Sequence, residues 1–212
     1  RGMSSAASDV YKRQAPGLIA MIQLFNGMQS SLSMVYDREM GSMKTMLVSP
    51  IPRWFLLTSK LLAGVFVSIL QVYAFLFIAS FWDIKPPIFG YLSLLPALIV
   101  SGLMLGALGM FLSSAIKQLE NFAGVMNFVI FPMFFASSAL YPLWKIEETS
   151  EWLYVVCKFN PFTYAVETIR FSLYAQVNIE NSIGIITCTI IFLTFSIIGY
   201  DPARSFIQKK GR

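Results

Sequence analysis

Five stretches of at least 20 residues carry no Asp, Glu, Lys or Arg: 14–36, 61–82, 86–116, 121–144 and 181–200. A helix rises about 1.5 Å per residue, so about 20 apolar residues cross a hydrocarbon core of about 30 Å. The blocks are solidly apolar and lack the ten-residue alternation of a membrane β-barrel. Lipid offers the backbone no hydrogen bonds, so such blocks must be helices. The fold class is therefore all-α, a polytopic helical membrane protein. Its spanning helices are expected at 16–36, 60–82, 91–114, 121–141 and 181–200.

Composition agrees and excludes other classes. Charged residues make up only 13% of the chain and hydrophobic ones 56%. Soluble domains carry about 25% charge, so this chain cannot cover a water-facing surface. Disorder, nucleic-acid binding and ordinary soluble enzymes are set aside. There is no His, which removes the commonest general base and metal ligand. Cys157 and Cys188 are too few for a zinc site or a disulfide framework, so no metal site and no catalytic residue is expected. The net charge of +5 reads as basic loops at one membrane face, with no nucleic-acid partner.

Lys and Arg in short loops set the orientation. One face carries Arg38, Lys44, Arg53, Lys60, Lys117, Arg204, Lys209, Lys210 and Arg212. The other has Lys85, Lys145, Lys158 and Arg170, with most of the acids. The first face is read as cytoplasmic, with the basic tail 206–212 on it. Residues 1–14, basic yet placed outside by this count, are read as a disordered or non-native leader. The string 4–14 resembles translated adapter sequence. An odd span count then suggests that a first span precedes the chain.

Residues 36–54 read YDREMGSMKTMLVSPIPRW. Met40, Met43 and Leu47 share one helical face, and Pro50 and Pro52 end the pattern. A short amphipathic helix over 37–48 is expected. Either it lies in the membrane interface, or it presents methionines and charges to a soluble partner.

Within the first span, Gln23, Asn26, Gly27 and Ser30 form one polar stripe. It either lines a path through the membrane or bonds a neighbouring helix. Gln71 and Asn127 stand isolated and read as packing contacts. Gly102, Gly106 and Gly109 share a face of the third span and suit close helix packing or a dimer seam. Before the last span, Asn160 suits an N-cap and Pro161 the first helical turn. Phe162, Val166, Ile169 and Leu173 make an apolar face, with Glu167 and Arg170 paired on the other side. Short helices are expected over 147–175, as an interfacial anchor.

Several of these segments, taken together, resemble the ABC-2 type transporter permeases. The stretch from Tyr36-Asp37-Arg38-Glu39-Met40-Gly41 to Leu47-Val48-Ser49-Pro50 is similar to their first cytoplasmic loop. Ala15-Pro16-Gly17 with Phe25-Asn26-Gly27-Met28 is similar to their second span. Ser138-Ala139-Leu140-Tyr141-Pro142-Leu143 and the run from Asn160-Pro161-Phe162 to Thr168-Ile169-Arg170 resemble their external segment, and the resemblance implies that the short external helices here, with Asn160, Pro161, Glu167 and Arg170, form a gate that caps the exit. The resemblance implies a six-span subunit, five spans of which fall in residues 15–205. It implies that Asp37, Arg38, Glu39, Met40, Gly41, Met43, Lys44 and Leu47 form a coupling helix docking on an ATP-binding-cassette ATPase subunit. It further implies a second permease subunit, identical or not, in a multi-pass prokaryotic cell membrane with the C-terminus cytoplasmic. ATP and Mg would sit on the partner, with no cofactor on this chain.

The chain's own chemistry fits. No G-x-x-x-x-G-K-[ST] phosphate loop occurs. No acid or base sits at the centre of a span, which argues against an ion-coupled carrier and an intramembrane protease. The expected function is a permease moving drug, lipid-linked or polysaccharide-type substrates, and the alternative is a non-transporting membrane scaffold.

Overall fold

The computed structural model describes residues 2–42, 45, 48, 50–82, 87–116 and 118–200. It is helical, and no strand occurs among the described residues. The helices are α1 (Gly2–Glu39), α2 (Arg53–Ala79), α3 (Ile88–Ala115), α4 (Leu119–Phe135), α5 (Leu143–Thr149), α6 (Glu151–Phe159), α7 (Pro161–Leu173) and α8 (Ile179–Gly199). Proline sets several starts. Pro52, Pro87 and Pro142 precede α2, α3 and α5, and Pro161 opens α7. Its fixed φ suits a helix start, where its missing N–H costs no bond.

Among the described residues four helices are long and apolar enough to cross a membrane: Gln14–Glu39, Trp54–Ala79, Ile88–Ala115 and Ile179–Gly199. The first belongs to a helix that already begins at Gly2, so residues 2–14, read from sequence as a leader, continue it. The second starts seven residues before the expected 60, at Arg53. Counting charge-free residues cut it at Lys60, but Lys60 lies within the helix and pairs with Asp37.

The fourth span departs most from expectation. In place of 121–141, α4 has 17 residues and ends at Phe135. Its length of about 25 Å falls short of the hydrocarbon thickness. The physical reason lies in α7. Asn160 Nδ2 donates to the Met133 and Ala136 carbonyls at 2.7 Å each, and Arg170 donates to the Ser138 carbonyl at 2.7 Å. Side chains take those carbonyls, and the chain turns away.

α3 is the central helix. Residues 104–110 are buried without interruption, because α1, α2, α7 and α8 surround it. By contrast α8 buries only Ile185 and Ser196, leaving Ile183, Ile190 and Phe195 exposed. Such apolar surface suits lipid and not water.

α7 is also buried on more than one side. Phe162, Val166, Ile169 and Leu173 are covered, and so is Glu167. The Glu167–Arg170 pair forms, but Glu167 does not sit on a free face opposite the apolar one. α7 packs against α1, α3 and α8 at once, which turns an expected surface helix into an inserted one.

Gly102, Gly106 and Gly109 face inward, against α1 and α2. A Cβ on Gly109 would lie 2.8 Å from the Gly27 carbonyl oxygen and 2.5 Å from Ser31 Oγ. Backbone cannot yield as a side-chain tip can. Gly109→Ala should therefore cost about 1–3 kcal/mol, read as a lower thermal midpoint in detergent. Gly124→Ala, inside α4 where a Cβ meets nothing within 4 Å, should leave the midpoint unlowered and raise it slightly through helix propensity.

Candidate functional site

The ends of α1, α3 and α8 and the starts of α2 and α4 gather at one end of the bundle, here termed the loop end. α1 closes there with Asp37, Arg38 and Glu39. Asp37 pairs with Lys60 of α2. Arg38 Nη1 donates to the Ile116 carbonyl at 3.0 Å and the Ser114 carbonyl at 3.4 Å. Its guanidinium stands 4.7 Å from the centre of the Tyr200 ring. Tyr200 in turn shares a 2.6 Å hydrogen bond with Ser113 Oγ. Glu39 Oε2 accepts the Leu119 amide at 3.2 Å.

The expected surface helix over 37–48 is thus divided. Its first three residues are the last turn of α1. Gly41 then takes φ +79, a left-handed conformation that glycine adopts without strain and that commonly ends a helix. Beyond it Ser42, Thr45 and Val48 are helical and exposed. Met40 and Val48 leave 64% and 85% of their surface uncovered. Met43, Lys44 and Leu47 lie outside the described residues, as do Lys117 and the basic tail.

The polar stripe of α1 also divides. Gln23 is buried, donates to the Leu98 carbonyl at 2.8 Å and accepts from Ser101 Oγ. It joins α1 to α3. Asn26 turns the other way and donates 2.6 Å to Gln71 Oε1 of α2. Two adjoining cavities of about 420 and 410 Å³ share Asn26, Gln29 and Gln71 in their walls. Apolar residues Leu18, Phe25 and Phe75 line one, and Ser30, Ser33 and Lys60 the other. Together they make an open groove along α1 and α2 with an amide cluster at its middle. Gln71 was read as isolated. No spacing rule pairs it with Asn26, because the two are 45 residues apart. Asn127 is exposed on α4.

At the opposite end Asn160 has two tasks. Its Oδ1 accepts the Phe162 amide at 3.0 Å and caps α7, while its Nδ2 holds the end of α4. Arg170 ties Glu167 to the 136–142 turn. Among the described residues no group of three or more His, Cys, Asp or Glu could hold a metal ion. Both cysteines are free, and burial pushes the Cys157 thiol pKa up, which lowers its reactivity.

The sequence model of the ABC-2 type transporter matches residues 2–174. The chain belongs to the ABC-2 type transporter family. It is a multi-pass membrane protein of that family. It is 32% identical over 170 residues to "Putative transport permease ycf38" of Pyropia yezoensis, covering 76% of this chain and 55% of that protein. Its identity to the protein of the same name in Cyanophora paradoxa is 29% over 164 residues, 74% of this chain and 53% of that one. "Probable multidrug ABC transporter permease YbhR" of Escherichia coli K12 is 31% identical over 158 residues, 73% of this chain and 42% of its own length. The chain spans about half the length of the relatives it matches.

This ABC-2 domain holds its far end together through one asparagine. Asn160→Ala should lower stability by about 1–3 kcal/mol, because a cap is lost and two carbonyls lose their donor. Asn160→Asp keeps the acceptor for Phe162 N–H but loses the donors, and should recover only part. Thermal midpoints of the three proteins in one detergent measure the difference.

Proposed function

We propose that this chain is the permease subunit of an ATP-driven exporter, coupled through the segment after Gly41 to a separate ATP-binding-cassette ATPase. The observation that carries the reading is the loop end. Met40, Ser42, Thr45 and Val48 stand exposed around Gly41 and its left-handed turn, directly beside residues fastened to four helices. A partner that moved this segment would move the bundle. ATP and Mg bind on that partner, and this chain contributes no covalent chemistry. A second permease subunit completes the pathway in a prokaryotic cell membrane. The loop end and the C-terminus face the cytoplasm, and Asn160, Pro161, Glu167 and Arg170 hold the external gate.

The groove along α1 and α2 supports the pathway reading. Exposed amides are costly against lipid, so Asn26, Gln29 and Gln71 are best explained by facing substrate or water. Apolar walls around a few hydrogen-bonding groups suit an amphiphilic ligand, in line with the word multidrug in the name of the Escherichia coli relative. Transport then needs that ligand to bind the inward and outward states differently.

The test is a pull-down of the full-length protein in mild detergent, with residues 42–49 intact or replaced by Gly/Ser linker. An ATPase that co-purifies with the intact loop and is lost with the linker is expected. No co-purifying ATPase with the intact loop overturns the exporter reading in favour of the scaffold. In vesicles holding the complex, Asn26→Leu with Gln71→Leu should cut transport about tenfold, the loss of roughly 1.4 kcal/mol of binding. ATPase co-purification should not change.

A further inference from the structure

α1 ends in three consecutive charged residues, and the last two act on a single feature, the turn between α3 and α4. Arg38 donates to the Ser114 and Ile116 carbonyls at the end of α3. Those groups have no amide of a following turn to accept from. Glu39 accepts the Leu119 amide at the start of α4, where Gln118 supplies no side-chain cap. A cation therefore meets a helix C-terminus and an anion meets a helix N-terminus, each with the favourable sign for the helix dipole. The bonds cross 76 to 80 residues of sequence. Tyr200 stacks on the guanidinium and bonds Ser113, which adds the end of α8 to the same cluster.

We propose that Arg38 and Glu39 are positioning residues that latch the α3–α4 turn to the end of α1, so that both move as one body when the segment beyond Gly41 is displaced. They work inward on their own chain and do not bind the ATPase. Gly41, with φ +79, is the joint between the segment that is moved and the latch that transmits. This rests on the coupling reading proposed above.

The experiment uses the full-length protein with Cys157 and Cys188 replaced by serine, in nanodiscs. Spin labels at Tyr36→Cys and Asn121→Cys report the distance between the end of α1 and the first turn of α4. In the permease alone, Glu39→Ala should broaden a narrow distribution. An unchanged distribution overturns the latch, whether or not any ATPase binds. In the complex, Arg38→Ala and Glu39→Ala should each retain the ATPase and its basal hydrolysis while transport per ATP falls at least tenfold. Arg38→Lys, which keeps a charged donor for the carbonyls, should restore most of it. Loss of ATPase binding in step with transport would make these residues direct partner contacts and overturn the proposal. Undiminished transport per ATP would overturn it too. Should Arg38→Ala fail to fold, Glu39→Ala decides, because that side chain is exposed and, among the described residues, bonds only the Leu119 amide. If the unmodified protein binds no ATPase, the exporter reading falls, and the label distance still decides the latch.

Discussion

The close crossing of α1 on α3 is the contact on which the rest of the bundle depends. Gly27 and Gly109 bring the two backbones together, with Ser31 Oγ bonded to the Gly27 carbonyl at 2.9 Å beside them. Gln23 adds a buried side chain that reaches both the Leu98 carbonyl and Ser101. In hydrocarbon there is little apolar driving force between helices, so small residues and interhelical hydrogen bonds must do this work. A helix seated so closely cannot rotate without breaking buried bonds. Its rotational setting is therefore fixed.

That setting decides what every other face of α1 does. With Gln23 turned into α3, Asn26 and Gln29 are turned out toward α2 and the groove. At the loop end the same rotation aims Asp37 at Lys60, Arg38 at the end of α3, and Glu39 at the start of α4. Three neighbouring positions on a helix point in three directions about 100° apart. Each thus finds a different helix, as the surroundings of a well-enclosed helix end require.

Helices were legible in the sequence wherever lipid dictated them. Long charge-free blocks located α3 and α8 and the ends of α1 and α2 to within three residues, because in a membrane an uncharged apolar block has one stable form, whereas α1 and α2 start fourteen and seven residues before the expected positions. The misses share a cause. The end of α4 is set by Asn160 and Arg170, and the burial of Glu167 by three helices packing on α7. The pairing of Asn26 with Gln71 needs α1 against α2. Each depends on contacts between residues far apart in the chain, and periodicity carries no signal for those. Arg38 and Glu39 were read as part of a coupling helix because the loop resembles that of the family, and their bonds within the chain are a separate matter. Nothing within residues 36–54 reveals that two orphaned helix ends wait nearby.

The two fastened ends of α4 give this bundle a mechanical asymmetry. Glu39 caps its first amide, while Asn160 and Arg170 hold the carbonyls at its end and in the turn beyond. Between them only Phe122 and Ile130 are buried, and α4 leans chiefly on α1. A helix resists compression along its axis through its own hydrogen-bond ladder, whereas sideways displacement is resisted only by neighbours. α4 has few of these. On the coupling reading, a shift of the latch at one end is thus carried along α4 to the turn that Asn160 and Arg170 tie to α7. α3 is gripped along its buried middle, residues 104–110, by α1, α2, α7 and α8. The inserted helix α7 is then reached from the loop end by way of α4, beside its direct packing on α1 and α3.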